Sequence, residues 1–204
     1  MNESPDSHCN IDWNERLVSF KELQWRDLSF DYYESLSEIQ CATPNPNSSF
    51  AEQYGSIAYL PWEWEVQRAF MSIPWVKDDE KDHIRIAIRW LTLVEDELVG
   101  ACWIRVIDGT WYDNQGHYHI SAIARNLHSK GTNLGWFILQ DALEYIRSNS
   151  KKTGKPPLVV AYVDYRNEPC ISLFRRAGFE TEDAIMLVDN TYRIFSIDLD
   201  EKHL

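Results

Sequence analysis

Cysteine is sparse: four residues, Cys9, Cys41, Cys102 and Cys170, with no CxxC pair among them. That scatter speaks against a disulfide framework or a thiolate zinc site and fits reduced thiols in a cytoplasmic protein. Long apolar runs are missing as well. No stretch of about 18 apolar residues occurs, so no membrane-spanning helix is expected. The opening MNESPDSHCN has neither the basic nor the apolar region that a secretory signal needs. Basic residues are few, 20 Lys and Arg against 32 Asp and Glu, for a net charge of −12. Non-specific nucleic-acid binding is disfavoured by that balance. The deficit is concentrated: residues 1–82 carry 16 acids and 6 bases, residues 83–204 carry 16 and 14. An acidic first third would attract a cationic partner or substrate, or would only keep a Trp-rich chain soluble. Neither GxGxxG nor GxxxxGK[ST] is present, which argues against a dinucleotide or P-loop nucleotide enzyme.

What remains is a globular composition. With 44% apolar residues, 204 residues suffice for one domain with a substantial core. Residues 1–12 read as a disordered terminus and 13–204 as the domain. Leu17 to Leu23 reads as a short strand. Leu28, Tyr32, Leu36 and Ile39 lie at helical spacing, and Thr43 to Ser49 is a loop. Pro61 suits the first turn of a helix whose apolar stripe is Trp62, Val66, Ala69, Phe70 and Ile73, ended by Pro74. From Ile84 the period becomes two. Ile84, Ile86, Ile88 and Trp90 face one way, Glu95-Asp96-Glu97 turns the chain, and Leu98 to Ile107 returns antiparallel. Tyr118 to Ala124 is a further strand. Leu158 to Val163 is a short apolar strand suited to a sheet interior. Glu168 to Ala177 is a helix closed by Gly178. Phe179 to Val188 and Tyr192 to Leu199 form a closing hairpin around Asp189-Asn190. The order β-α-α-β-β-β-α-β-α-β-β predicts an α/β fold with helices on the faces of a mixed sheet.

The most informative stretch is Ile120 to Arg147: strand, polar loop with glycines, amphipathic helix. In the helix Leu134, Phe137, Ile138, Ala142 and Tyr145 are expected to be buried. Ser148 to Pro157, with Lys151, Lys152 and Lys155, reads as a basic exit loop. The loop His128 to Gly135 aims free backbone N–H groups at one point, and the positive end of the helix dipole adds to them. Such a loop suits a phosphate or pyrophosphate.

Roughly 35 residues further on, Asn167-Glu-Pro-Cys170-Ile-Ser-Leu173-Phe174-Arg-Arg-Ala177-Gly178-Phe179 follows the apolar strand. Together with His128-Ser129-Lys130-Gly131-Thr132-Asn133 this order resembles the GNAT superfamily of acyl-CoA-dependent N-acyltransferases. That family's cofactor signature is Gln/Arg-x-x-Gly-x-Gly/Ala. Its next motif runs from an Asn through a small residue and an aromatic to Gly-Phe. Gly131 fits the signature. His128 replaces Gln/Arg and Asn133 replaces the last small residue, and Asn tolerates left-handed backbone better than most residues. The resemblance covers Ile84 to Leu199 well and the first 80 residues only in element order. It implies a GNAT-like mixed, mostly antiparallel central sheet flanked by helices on both faces. Residues 13–82 would form the acceptor side and 83–204 the CoA-binding core. Acetyl-CoA would be the cosubstrate. The backbone of Ile123, Ala124 and Arg125 would pair with the pantetheine amides. Ser129, Lys130, Gly131, Thr132, Asn133, Leu134 and Gly135 would hold the pyrophosphate, and Asn167 would reach the pantetheine or thioester. Plainer readings stand beside these: Ile123 and Ala124 as core strand residues, Gly131 and Gly135 as turn and packing glycines, Asn167 as a helix cap.

Acyl transfer to an amine needs a neutral amine, a donor to the thioester oxygen and a stable thiolate. The family often places an acidic Tyr where this chain has Phe174. Tyr165 is a substitute donor, or simply an amphipathic wall residue. No Glu lies on the strand Tyr118 to Ala124, but His117 and His119 share one of its faces. They are structural histidines, or a base, or two metal ligands lacking a third; no metal site is expected. Ser121 and Asp164 are lesser polar candidates. Tyr59 to Glu65, with Trp62 and Glu63, and Trp75 place aromatic faces beside carboxylates, which suits a cationic acceptor, or they are core and solvated face. The function implied is acetyl transfer from acetyl-CoA to a small-molecule or peptide amine by direct attack in a ternary complex. The alternative is a CoA-binding module without catalysis. A homodimer is compatible with the sequence.

Overall fold

The computed structural model describes residues 23–43, 60–73, 84–90, 96–109, 116–129, 131–187 and 190–200. The expected disordered terminus, the strand residues before Leu23, most of the Thr43–Ser49 loop, Tyr59, Trp75, Lys130 and the side chain of His128 lie outside these. One seven-stranded sheet has the order β1-β2-β3-β4-β5-β7-β6. The strands are β1 Leu23–Asp27, β2 Ile84–Trp90, β3 Asp96–Ile107, β4 His117–Arg125, β5 Leu158–Asp164, β6 Glu180–Leu187 and β7 Asn190–Asp198. All neighbours are antiparallel except β4 and β5. The helices are α1 Tyr33–Ser37, α2 Pro61–Met71, α3 Leu134–Thr153 and α4 Glu168–Arg176.

Both sheet faces are covered, as the resemblance implies. Leu36 of α1 and Phe70 of α2 pack with Ile84, Ile86, Ile88 and Trp103 on one face. Leu134, Ile138, Ala142 and Ile146 of α3, with Ile171 and Phe174 of α4, pack with Cys102, Ile104, Val159 and Phe195 on the other. Arg85 fastens β2 to α3 through two bonds to Asp141, at 2.9 and 3.0 Å, and to β1 through Asp27 at 2.6 Å.

Several elements differ from expectation for local reasons. Of the strand expected at Leu17 to Leu23 only Leu23 lies among the described residues; it opens β1, where Leu23 and Trp25 pack on the α3 side. The expected Leu28–Ile39 helix contracts to a 3-10 turn, Phe30–Tyr32, and the five-residue α1. Leu28 donates its N–H to the Ile84 carbonyl at 2.8 Å and so extends the sheet. Asp96 and Glu97, expected in the turn, belong to β3 and pair with Trp90 and Arg89. The supposed exit loop is largely helix. Gly154, at φ 71°, ends α3 and donates to Ser150 O at 2.8 Å. Lys151 and Lys152 then sit in the last turn, where cations complement the helix dipole. In α3 Leu139, Leu143 and Ile146 are buried, whereas Phe137 and Tyr145 are half-buried.

Two β-bulges fix which side chains reach each face at the centre of the sheet. Ala87 pairs with Gly100 but Ile88 with Leu98, which leaves Val99 as an extra residue. A Cβ on Gly100 would lie 2.3 Å from Ile138 Cδ1 and 2.9 Å from Ala124 O, so only glycine lets α3 approach this closely. In β4, Ile104 pairs with Ile120 and Trp103 with Ala122, so Ser121 is extra. A one-residue insertion reverses which face a strand's side chains reach. Tyr118 and Ile120 accordingly pack on the α3 side, Ala122 and Ala124 on the α1–α2 side.

Candidate active site

The sheet forks just after the β4 bulge. β4 and β5 pair only from Tyr118 with Val159 to Ile120 with Ala161. Beyond this, β4 stays paired with β3 as far as Arg125, and β5 with β7 as far as Asp164. Two strand edges therefore face each other unpaired, and unpaired edges carry backbone groups that need partners. A cavity of about 770 Å³ opens there, lined by both edges, by the start of α3 and α4, and by α2.

At one end of the cavity lies the start of α3. Gly131 has φ 87° and Asn133 φ 61°, both left-handed. The tolerance of Asn for this conformation keeps the loop despite the missing second glycine. Thr132 Oγ1 donates to Ser129 O at 2.7 Å and braces the turn. Asn133 and Gly135 line the cavity with Trp136. The Arg176 guanidinium lies 4.1 Å over the Trp136 ring and donates to Asn133 Oδ1 at 2.9 Å. Loop, α3 and α4 are thus tied at this end.

In the middle, Asn167 accepts from Cys170 N at 3.2 Å and caps α4, while also lining the cavity. Both readings of Asn167 thus have a geometric basis. Phe174 is 1% exposed, against Phe179 and Phe195 at ring separations of 4.8 and 5.7 Å. Cys41 and Cys170 line the cavity, but burial, aided for Cys41 by Glu63, pushes each thiol up to about 12. Neither is a thiolate at neutral pH, so neither is a ready nucleophile.

His119 lines the cavity where the strands part. Its Nδ1 lies 3.1 Å from Ser121 Oγ. Its Nε2 is buried with no hydrogen-bond partner among the described residues. Tyr162 lies against the ring, with centroids 4.9 Å apart. Burial, then the charges of His117 and Arg105, lowers its pKa to about 4. The imidazole is therefore neutral at physiological pH, and in the tautomer whose Nδ1–H donates to Ser121 Oγ its Nε2 is left to accept a proton.

The opposite end of the cavity is formed by α2, the segment after α1 and β7. Gln67 Oε1 accepts from Cys41 N at 2.8 Å, and Gln67 Nε2 donates to Ile39 O at 2.5 Å. Leu127 N donates to Gln40 O at 2.8 Å, and Glu63 accepts from Thr43 N at 2.7 Å. Glu65 accepts the Tyr192 hydroxyl at 3.0 Å. Arg166 lies 5.4 Å over the Trp62 ring. It also grips Asp164 at 2.9 and 2.6 Å. Burial alone would raise the Asp164 pKa, but the bonds from Arg166 outweigh it and hold the carboxyl ionised.

Of the residues singled out in the sequence, His119, Ile123, Ala124, Arg125, Asn133, Gly135 and Asn167 line one cavity. Ser129 is buried beneath the loop, Leu134 belongs to the core, and Gly131 is exposed. Tyr165 is 47% exposed and lies outside the cavity lining, stacked on Arg166 at 5.6 Å, so its proposed donor role has no geometric basis. Arg166, Arg176 and Tyr192 join these residues only in the folded structure. Arg166 had a signal, being two residues from Asp164; the other two are brought in from distant elements.

Comparison with known proteins agrees with this geometry. The NatC complex, solved with Gag peptide and CoA, contains a chain at 10% identity and TM-score 0.61; the match covers 87% of the present chain and 99% of that one. The yncA protein of Salmonella typhimurium, solved with its cofactor acetyl-CoA, matches at 11% identity and TM-score 0.56, covering 90% and 97%. The ribosomal-protein-alanine N-acetyltransferase of Brucella melitensis matches at 14% identity and TM-score 0.55, covering 86% and 99%. At such identities the likeness is one of fold. No curated protein matches the sequence significantly. The family model for the acetyltransferase (GNAT) family, however, matches residues 17–179. Joined to the forked sheet and the left-handed loop, that match settles the assignment: the chain belongs to the acetyltransferase (GNAT) family.

Proposed function

We propose that the protein transfers an acetyl group from acetyl-CoA to a primary amine by direct attack in a ternary complex. The fork between β4 and β5 carries this reading, because it joins the loop at Asn133 to the acceptor end in one continuous cavity. The pantetheine arm would pair with the free edge at Ile123 to Arg125, and the N–H groups of the loop would meet the pyrophosphate. A direct attack is favoured because the cavity thiols are held protonated. His119 is the base, with Ser121 beside it. A histidine held near 4 is too weak to strip an ammonium of pKa about 8 to 10. The amine therefore enters neutral, and His119 takes the proton from the far more acidic nitrogen formed on attack. Phe174 supplies no acid, so the thiolate leaves unassisted, as a thiol of pKa about 8.5 permits.

Purified protein incubated with acetyl-CoA and a panel of amines is expected to release free thiol only when an amine is present. Binding of CoA without turnover on any amine would favour the non-catalytic module instead. No detectable CoA binding would sink both.

Asn167 separates two roles by a conservative change. Asn167→Asp keeps an acceptor for Cys170 N–H but loses the amide donor. It is expected to hold the melting temperature while weakening acetyl-CoA binding. Asn167→Ala is expected to cost about 1 kcal/mol of stability as well, through the lost cap. Unchanged affinity in the Asp variant, read by calorimetry, would leave Asn167 as a cap alone.

A further inference from the structure

Arg125 is the least compensated charge in the cavity. It stands at the end of β4, half-buried, beside Cys41 and Glu63. Two other half-buried arginines hold carboxylates: Arg85 holds Asp141 and Asp27, and Arg166, beside the cavity, holds Asp164. Arg125 makes one long bond, from Nη1 to its neighbour's carbonyl at Asn126, 3.4 Å. Among the described residues no carboxylate reaches ion-pair distance. Burial pulls its pKa down, and the nearby Glu63 and Cys41 do not restore it. A guanidinium taken from water without a partner is unfavourable, and such groups gather where a ligand supplies the missing charge.

The neighbouring groups are already engaged. The Glu63 carboxylate is engaged by Thr43 N, and the segment carrying Cys41 is pinned by Gln67 and by Leu127. Meanwhile the aromatic and acidic features expected to hold a cation are used within the protein. Arg166 covers the Trp62 ring, and Glu65 takes the Tyr192 hydroxyl. Arg68, exposed on α2, adds a second positive charge to the lining.

We propose that the acceptor is a small amine that also carries a carboxylate, as a free amino acid does, and that the Arg125 guanidinium binds that carboxylate. This rests on the acetyl-transfer reading and narrows its acceptor. Guanidinium and carboxylate match as two parallel hydrogen bonds, a geometry that an amide or an amine cannot reproduce.

The test compares free amino acids, their amides and polyamines as acceptors, with wild type, Arg125→Gln and Arg125→Lys. In wild type, replacing carboxylate by amide is expected to lower kcat/KM about tenfold or more. Arg125→Gln is expected to erase that difference, and Arg125→Lys to retain part of it. CoA affinity of each variant, read by calorimetry, separates any loss of the cofactor contact from loss of the acceptor contact. Calorimetry of N-acetyl amino acids with the CoA-loaded protein reads the same contact without turnover. Amides or polyamines accepted as well as amino acids, with no effect of Arg125→Gln, overturn the proposal and leave acetyl transfer standing. So does acetylation confined to peptide N-termini, or failure of every N-acetyl amino acid to bind. A protein that does not bind CoA at all overturns this proposal and the function beneath it.

Discussion

Gly135→Asp is expected to weaken acetyl-CoA binding about 10- to 100-fold while leaving the melting temperature unchanged or slightly raised. The two effects come from one carboxylate. Gly135 occupies the first turn of α3 and lines the cavity next to Asn133. A Cβ there meets nothing nearer than Leu173 Cδ2 at 3.8 Å, an ordinary contact. An acidic side chain in a first helical turn is favourable by about 0.3 to 1 kcal/mol, and removing a helical glycine helps further. Against a bound pyrophosphate the same charge repels, at a cost of about 1 to 3 kcal/mol for groups a few ångströms apart. Calorimetry with CoA, alongside thermal melting, reads both. Gly131→Asp would be the less informative change. Gly131 faces open space, but its φ of 87° strains any L side chain, so lost binding there would be mixed with lost fold. Unimpaired CoA binding by the Gly135→Asp protein would place the pyrophosphate elsewhere.

The second large effect concerns His119 and acid. Its folded pKa, about 4, lies below the ordinary value of 6.5. Between these values the unfolded chain binds a proton that the folded protein refuses. The contribution of this site to stability is therefore full above about pH 6.5 and is lost as pH falls toward 4. At 1.36 kcal/mol per pKa unit the loss approaches about 3 kcal/mol. The difference in urea stability between wild type and His119→Gln should change by that order between pH 7 and pH 4.5, the variant losing less. Activity should behave differently. In wild type kcat/KM should rise with pH through the pKa of the acceptor amine, with no inflection near 6.5 from the base. His119→Gln should lower kcat more than it raises the KM for acetyl-CoA, since the imidazole acts on the nitrogen formed during attack. A clear inflection near 6.5 that disappears in the variant would mean that His119 is far less buried than the structure has it.

Much of the architecture is legible along the chain because its signals are local. Ile84, Ile86 and Ile88 alternate and do face one side of the sheet. Pro61 starts α2 as its missing N–H allows, and Gly178, at φ 84°, follows α4 as expected. Asn133 adopts the left-handed conformation that its type tolerates. The failures occur where a partner decides. Leu28 joins the sheet because Ile84 O is opposite it. Asp96 and Glu97 are turn-like by composition, yet the ladder with Trp90 and Arg89 keeps them extended. Lys151 and Lys152 look like loop residues until the helix is seen to run on to Gly154.

The same division holds for the site. The proposed cofactor side is a contiguous motif whose chemistry lies in backbone conformation, and residue type at Gly131, Asn133 and Gly135 constrains that conformation directly. By itself, then, the sequence determined the family, the α/β order and the position of the left-handed loop at the start of α3. Tertiary structure decided the charges at the opposite end of the cavity, because they act only through what stands opposite them. Trp62, Glu63 and Glu65 read as a cradle for a cation until Arg166, Thr43 and Tyr192 are found occupying them. Arg125 reads as a strand-end residue with a backbone role until the fold half-buries its side chain with no carboxylate at ion-pair distance. Whether a charge is satisfied depends on distance through space, and spacing along the chain carries little of that.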